Sequence, residues 1–230
     1  NGMATDNPRT HSPAQAIKVA VDNCIFTVLD GHLHVLLIQA NRKPYAGMWA
    51  LPGGLVEHGE TLDHAAARIL EEETGVFDVY LEQLYTFGSL DRDASERVVS
   101  VAYFSLINGS GVMLRPFPKY AAVRWWKYAS LPDLAYDHKA IAAYAKKRLA
   151  WKLEYTNVIW SLLPPQFTLT DLQQAYEAVL GRNLDKRNFR KKILSLGLLK
   201  PVGEKPDRGA HRPPMLYSFT TRKPKIVQVL

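Results

Sequence analysis

The sequence predicts an α/β domain of the three-layer sandwich type followed by a smaller unit of three helices and a β-hairpin. Three observations carry that expectation. Alternating apolar segments flank an Asp30-Gly31 turn early in the chain, the pattern of an antiparallel hairpin. A Gly53-Gly54 pair then leads into a stretch with apolar positions at helical spacing. Finally, the chain changes charge: residues 151–230 hold 14 Lys and Arg against 6 Asp and Glu, whereas residues 1–150 hold 15 against 16.

Residues 1–15 are polar, with Pro8 and Pro13, and read as a flexible N-terminal arm. Segment 17–22 alternates as a strand, 24–29 continues apolar, and 32–39 is the return strand. The loop 40–47 carries Arg42, which can meet a phosphate, and Trp49 beyond it offers either a stacking surface for a ligand or a plug for the core. Gly53 and Gly54 allow a tight turn where a Cβ would block the approach of a ligand. In the helix expected over 61–74, Leu62, Ala65, Ala66 and Leu70 form the buried stripe, and Gly75 suits a left-handed C-cap. Strands at 80–90 and 98–107 follow, joined by a charged loop in which Arg92 and Arg97 either face an anionic ligand or solvate a turn. A short strand at 123–126 and a helix at 137–149 close the sandwich near residue 150.

The spacing inside the first helix points to chemistry. Gly54, five residues, Glu60, seven residues, Arg68 and then Ile69-Leu70-Glu71-Glu72-Glu73-Thr74-Gly75-Val76 resembles the Nudix box. Glu72 and Glu73 lie three and four residues beyond position 69, so the three side chains share a helical face. Hard divalent cations take several carboxylate oxygens held in that way, together with those of a bound pyrophosphate. Where the box has its first metal-binding Glu, this chain has Ile69, which cannot bind Mg²⁺. Glu71 is turned roughly 200° from it and should face solvent. Glu72 and Glu73 therefore remain as candidate metal ligands of an incomplete set, and no residue is assigned a catalytic role.

The basic remainder has its own pattern. Helices are expected over 153–163, stopped by Pro164-Pro165; over 168–180, with Thr170 as N-cap; and over 186–196, capped by Asp185. Strands at 198–202 and 215–220 flank a basic loop. Three helices and such a hairpin describe a winged helix-turn-helix, whose third helix enters the DNA major groove. Lys186, Arg187, Asn188, Arg190 and Lys191 on that helix, with Arg208, His211 and Arg212 in the wing, are the candidate DNA contacts: cations neutralise phosphates, and Arg and Asn reach base edges. The positive excess of this third alone fits a polyanionic partner. The domains are therefore expected at 16–151, the Nudix-like unit, and 152–230, binding double-stranded DNA.

Of the 230 residues, 47% are hydrophobic and 22% charged, which suits one large or two smaller folded units. Cys24 is the single cysteine, so no intrachain disulfide framework exists and a reducing cytoplasm is the expected compartment. No uncharged run approaches the ~18 residues of a membrane-spanning helix, and no membrane partner is expected.

Over nearly its whole length the sequence resembles the NrtR family, the Nudix-related transcriptional regulators of NAD metabolism. The resemblance rests on Trp49-Ala50-Leu51-Pro52-Gly53-Gly54, on Arg97-Val98-Val99-Ser100-Val101-Ala102-Tyr103, on Leu184-Asp185-Lys186-Arg187-Asn188-Phe189-Arg190, and on Arg212-Pro213-Pro214-Met215-Leu216-Tyr217. It implies a Nudix α/β/α sandwich that senses ADP-ribose or a related nucleotide as effector, without a required cofactor. It also implies a homodimer whose winged helices repress NAD biosynthesis or salvage genes at a palindromic operator. Two other readings stay open. One is an ADP-ribose pyrophosphatase that retains Mg²⁺ and hydrolysis; the other is a nucleotide hydrolase acting on RNA, disfavoured because the C-terminal unit lacks an aromatic platform for single strands.

Overall fold

The computed structural model describes residues 16–75, 80–110, 112, 114, 120–204 and 213–230. The chain opens on β1 (Lys18–Leu29), one strand where the sequence shows two short apolar segments. Asp30 and Gly31 take φ of 50° and 70°, the two left-handed values of a type I′ turn, and β2 (His32–Ala40) returns antiparallel with Phe26 opposite Val35. β3 (Trp49–Ala50), β4 (Gly53–Leu55), α1 (Leu62–Thr74), β5 (Tyr80–Phe87), β6 (Val98–Leu106), β7 (Tyr120–Lys127) and α2 (His138–Tyr155) follow.

β1 organises a mixed seven-stranded sheet with the main order β3-β2-β1-β6-β5, in which β4 also pairs with β1 and β7 with β2. β1 and β6 run parallel, with Val21 beside Val101, and the other pairs are antiparallel. Successive side chains of β1 point to opposite faces. Val21 shares a buried cluster with Ala65, Ala66 and Ile69 of α1, while Cys24 and Phe26 share another with Ile141, Ala145 and Leu149 of α2. The two helices thus cover the two faces.

Two local expectations are corrected here. The inward side of α1 is Ala65, Ala66, Ile69, Leu70, Glu73 and Thr74, with Leu62 only half-buried. Gly53 and Gly54 are extended backbone of β4 and make no tight turn.

No separate helix forms over 153–163. α2 continues to Tyr155, through the boundary expected at 151/152, and stops because the next two residues have better partners. Thr156 is extended and bridges Ile226, and the Asn157 side chain accepts from Lys225 N at 2.7 Å and donates to Lys223 O at 3.2 Å. Such side-chain bonds offer the backbone an alternative to helix. A 3-10 turn, Val158–Leu162, fills the remainder. β8 (Phe167–Thr168) leads into α3 (Leu169–Leu180), whose N-cap is Thr168 and not Thr170. Thr168 and Asp171 form a reciprocal capping box, which satisfies two N-terminal donors at once. α4 (Lys186–Ser195), capped by Asp185, and the strands β9 (Leu199–Glu204) and β10 (Met215–Phe219) complete a winged helix with sheet order β8-β10-β9. The arm at 1–15, and the wing loop with Arg208, His211 and Arg212, lie outside the described residues.

The two units share one core. Leu33, Val35 and Leu37 of β2 belong to the same buried cluster as Leu172, Tyr176 and Val179 of α3. Among the described residues, no helix is long and apolar enough to cross a membrane.

Candidate functional site

A cleft of about 350 Å³ opens where β1, β4 and β7 meet the loop before β6 and the start of α2. Its floor is a buried charged network built on Asp22, which β1 carries between apolar neighbours. Arg92 Nη2 donates to Asp22 Oδ2 at 2.8 Å, and Ser100 Oγ donates to the same oxygen at 2.6 Å. Arg92 also donates through Nε and Nη2 to Asp137, at 3.2 and 2.9 Å. One guanidinium therefore joins two carboxylates in fork geometry, the arrangement in which such pairs are strongest. Burial pushes the Asp22 carboxyl up, but His138, Arg92 and Ser100 outweigh it and hold it at about 2.

His138 ties this floor to α2. Its Nδ1 accepts the backbone N–H of Leu51 at 2.8 Å, which leaves the proton on Nε2, 3.4 Å from Asp22 Oδ1. Asp137, at the N-cap position of α2, makes no side-chain cap bond and spends its carboxylate on Arg92. Tyr136 precedes them with φ of 55°, rare for a bulky residue. Its ring lies 4.9 Å from that of His138 and 4.1 Å from that of Tyr45, leaving a partly exposed aromatic wall on the cleft. Lys43 stands at the mouth, and among the described residues no carboxylate pairs with it.

The glycine pair lines this cleft for different reasons. A Cβ on Gly53 would stand 2.2 Å from Asp22 Oδ1 and 3.0 Å from the Val21 carbonyl, so it is the charged floor that demands glycine there. A Cβ on Gly54 would meet only Ile69 Cδ1 at 3.8 Å, an ordinary contact.

Glu60, Glu72 and Glu73 of the Nudix-like stretch are already engaged. Arg68 Nε and Nη2 donate to Glu60 at 2.8 and 3.0 Å, and Glu72 lies 3.5 Å from Arg68 Nη1. Hydrogen bonds from Arg68 hold the Glu60 carboxyl down at about 2. Glu73 is buried next to Tyr120, and burial together with Glu73 pushes the Tyr120 hydroxyl above its usual range. Ile69 is fully buried among Val21, Ala65 and Tyr103, so hydrocarbon packing replaces the missing ligand. Among the described residues, no three His, Cys, Asp or Glu side chains cluster to hold a metal ion. The residues present therefore do not fit the Mg²⁺ site that the box implies.

Of the ligand residues read from sequence, Gly53, Gly54 and Arg92 line the cleft, while Arg42, Trp49 and Arg97 do not. Arg42 is exposed on the loop beside Lys43. Trp49 packs edge-on against Trp126 with centroids 5.3 Å apart, as a core plug. Arg97 donates to the carbonyls of Gly88, Ser89 and Val98. Asp22, Tyr136, Asp137 and His138 escaped sequence reasoning. A single acid inside the apolar run 19–26 was the available signal, since a buried charge requires a partner.

The candidate nucleic-acid contacts read from sequence that lie among the described residues are on α4. The turn before it is fixed by Glu177, whose Oε1 accepts Leu184 N at 2.8 Å, and by Gln173 Nε2, which donates to Leu184 O at 3.0 Å. Phe189 packs edge-on against Tyr176 and Ile193 is buried, which turns Lys186, Arg187, Asn188 and Lys191 to solvent. Arg190 is half-buried and donates to Thr170 Oγ1 at 3.0 Å, holding α4 against the start of α3.

Comparison with known proteins matches both halves. Residues 19–149 match the NUDIX domain, and residues 159–219 match the NrtR DNA-binding winged helix domain. The chain is 39% identical over 204 residues to the ADPR responsive transcriptional repressor NtrR of Acinetobacter baylyi, across 87% of this chain and 81% of that protein. It is similar to the crystal structure of Shewanella oneidensis NrtR complexed with a 27mer DNA, with 34% identity and a TM-score of 0.77 over 88% of this chain and 93% of that one. It is also similar to the NUDIX domain of Shewanella oneidensis NrtR complexed with ADP ribose, with 34% identity and a TM-score of 0.53 over 63% of this chain and 94% of that one.

Proposed function

The chain belongs to the NrtR family of Nudix-related regulators, and from that premise we propose that it is a cytoplasmic, ADP-ribose-responsive repressor of NAD-metabolism genes that binds a palindromic operator as a dimer. One observation carries the reading: α2 begins at the floor of the cleft, with Asp137 and His138, and ends at the winged helix. Its 18 residues make a rod of about 27 Å. A ligand that moves Asp137 or His138 moves that rod.

ADP-ribose enters the cleft with its pyrophosphate toward Lys43 and an aromatic base against Tyr136. Arg92 is already shared by two carboxylates, so its role is to hold Asp22 and Asp137 in place and couple the ligand to α2. Lys186, Arg187 and Lys191 neutralise phosphates, and Asn188 and Arg187, in the first turn of α4, read base edges. Hydrolysis has no part in this scheme, because Ile69, Glu72 and Glu73 do not make a metal site.

The test is fluorescence anisotropy of a labelled operator duplex with the full chain, titrated with ADP-ribose at fixed salt, since phosphate contacts make affinity salt-dependent. A coupling of ordinary size weakens DNA binding by roughly 5- to 150-fold. DNA binding that ignores ADP-ribose, or the absence of specific DNA binding, would overturn the reading.

A further inference from the structure

α2 carries apolar residues on more than one side. Ile141, Ala142, Ala145, Leu149 and Leu153 are buried against the sheet, as one helix face should be. Yet Tyr144, Trp151 and Tyr155 are 37%, 48% and 41% exposed. Together with Arg148 they occupy positions four, three and four residues apart, so all four fall within about 60° of one another around the helix. The repeat is that of a helix-packing seam. Tyr85, 55% exposed on the adjoining β5, widens the stripe, with its ring 5.3 Å from that of Tyr144.

We propose that this stripe is the surface on which a second copy of the chain packs, with the two α2 helices antiparallel across a two-fold axis near residues 149 and 150. Three features select a second copy over another partner. The stripe is self-complementary: antiparallel pairing places Tyr144 against Tyr155 of the second copy, and Arg148 against its Trp151, a cation over the best aromatic face. The flanks are complementary in charge, because the exposed Lys147 falls beside Glu154 of the second copy, twice by symmetry. Within one chain these two lie seven residues apart and cannot meet; Lys147 instead covers its own Trp151, 4.8 Å from the ring centroid. The area also suits: Tyr85, Tyr144, Trp151 and Tyr155 expose roughly 350 Å² per copy, a large share of the ~800 Å² that each partner gives to a standard interface.

This inference rests on the proposed function only in taking the protein to be dimeric, and it deepens that reading. The paired helices run from the ligand clefts to the winged helices, so the dimer axis passes through the coupling element itself.

Sedimentation velocity of the full chain, without DNA or ADP-ribose, tests it. The parent chain is expected to dimerise at micromolar concentration. Trp151→Glu should weaken the dimer at least tenfold, with far-UV circular dichroism and thermal unfolding showing that the fold is kept. Lys147→Glu should weaken it severalfold, and Lys147→Glu combined with Glu154→Lys should restore it. A monomeric parent, a dimer indifferent to Trp151→Glu, or a charge swap without recovery would each overturn the proposal. A monomeric parent would also remove the dimer from the repressor reading, whereas a dimer indifferent to Trp151→Glu or to the charge swap overturns this proposal alone and leaves that reading standing.

Discussion

Asp22 of β1 and His138 of α2 meet at the floor of the cleft, with Oδ1 3.4 Å from Nε2, and so join the central strand to the start of the connecting helix. The contact is buried on both sides and is braced by Arg92 and Ser100. Breaking one partner of such a set leaves an uncompensated charge, which costs more than the set itself contributes.

Asp22→Asn should therefore lower stability by about 3 kcal/mol, because Arg92 loses one of its two carboxylates. Urea denaturation at pH 7 measures this. A loss below ~1 kcal/mol would mean that Asp137 alone satisfies Arg92.

Acid should act through the same carboxylate. The folded pKa of Asp22 is lowered to about 2 from 3.8, so its stabilisation is complete above pH 4 and is lost as the pH falls through about 2. Linkage over that interval amounts to about 2 kcal/mol. Glu60, held at about 2 by Arg68, acts in the same direction. Stability measured from pH 5 to pH 2 should fall in the parent and fall less steeply in Asp22→Asn; parallel slopes would contradict the assignment.

At Ile69, restoring the glutamate of the box should destabilise the fold. Ile69→Glu places a carboxylate among Val21, Ala65 and Tyr103 and should cost about 2 to 4 kcal/mol. Unfolding with and without Mg²⁺ decides the matter, because a variant rescued by the ion would reveal a metal site that the packing conceals.

On the ligand side, Lys43→Ala should raise the calorimetric Kd for ADP-ribose roughly tenfold, the size of one charge-assisted hydrogen bond. Arg42→Ala should have a smaller effect, since Arg42 does not line the cleft. An equal loss for both would place the pyrophosphate further out on the loop.

How much of this was legible beforehand follows from what each level of structure records. Periodicity located β1, β2, α1, α3 and α4, because one buried face leaves its repeat in the sequence. The helix expected over 153–163 failed because Thr156 and Asn157 are claimed by residues 223–226, a contact about 70 positions away that no local pattern encodes. Gly53 was legible as a constraint, but not for its cause, since the obstruction is Asp22 on a neighbouring strand. The Nudix spacing located the cleft through its glycines and then drew attention to Glu72 and Glu73. The charged floor is assembled from β1, the loop before β6, and α2, and only the fold brings those together.

The most direct test of the central claim is reciprocal linkage between cleft and operator. The Kd of ADP-ribose would be measured by calorimetry with the full chain alone and with saturating operator duplex, at one salt concentration. If α2 couples the sites, DNA must weaken ADP-ribose binding by the same factor by which ADP-ribose weakens DNA binding. An ADP-ribose affinity identical with and without the duplex would contradict the account.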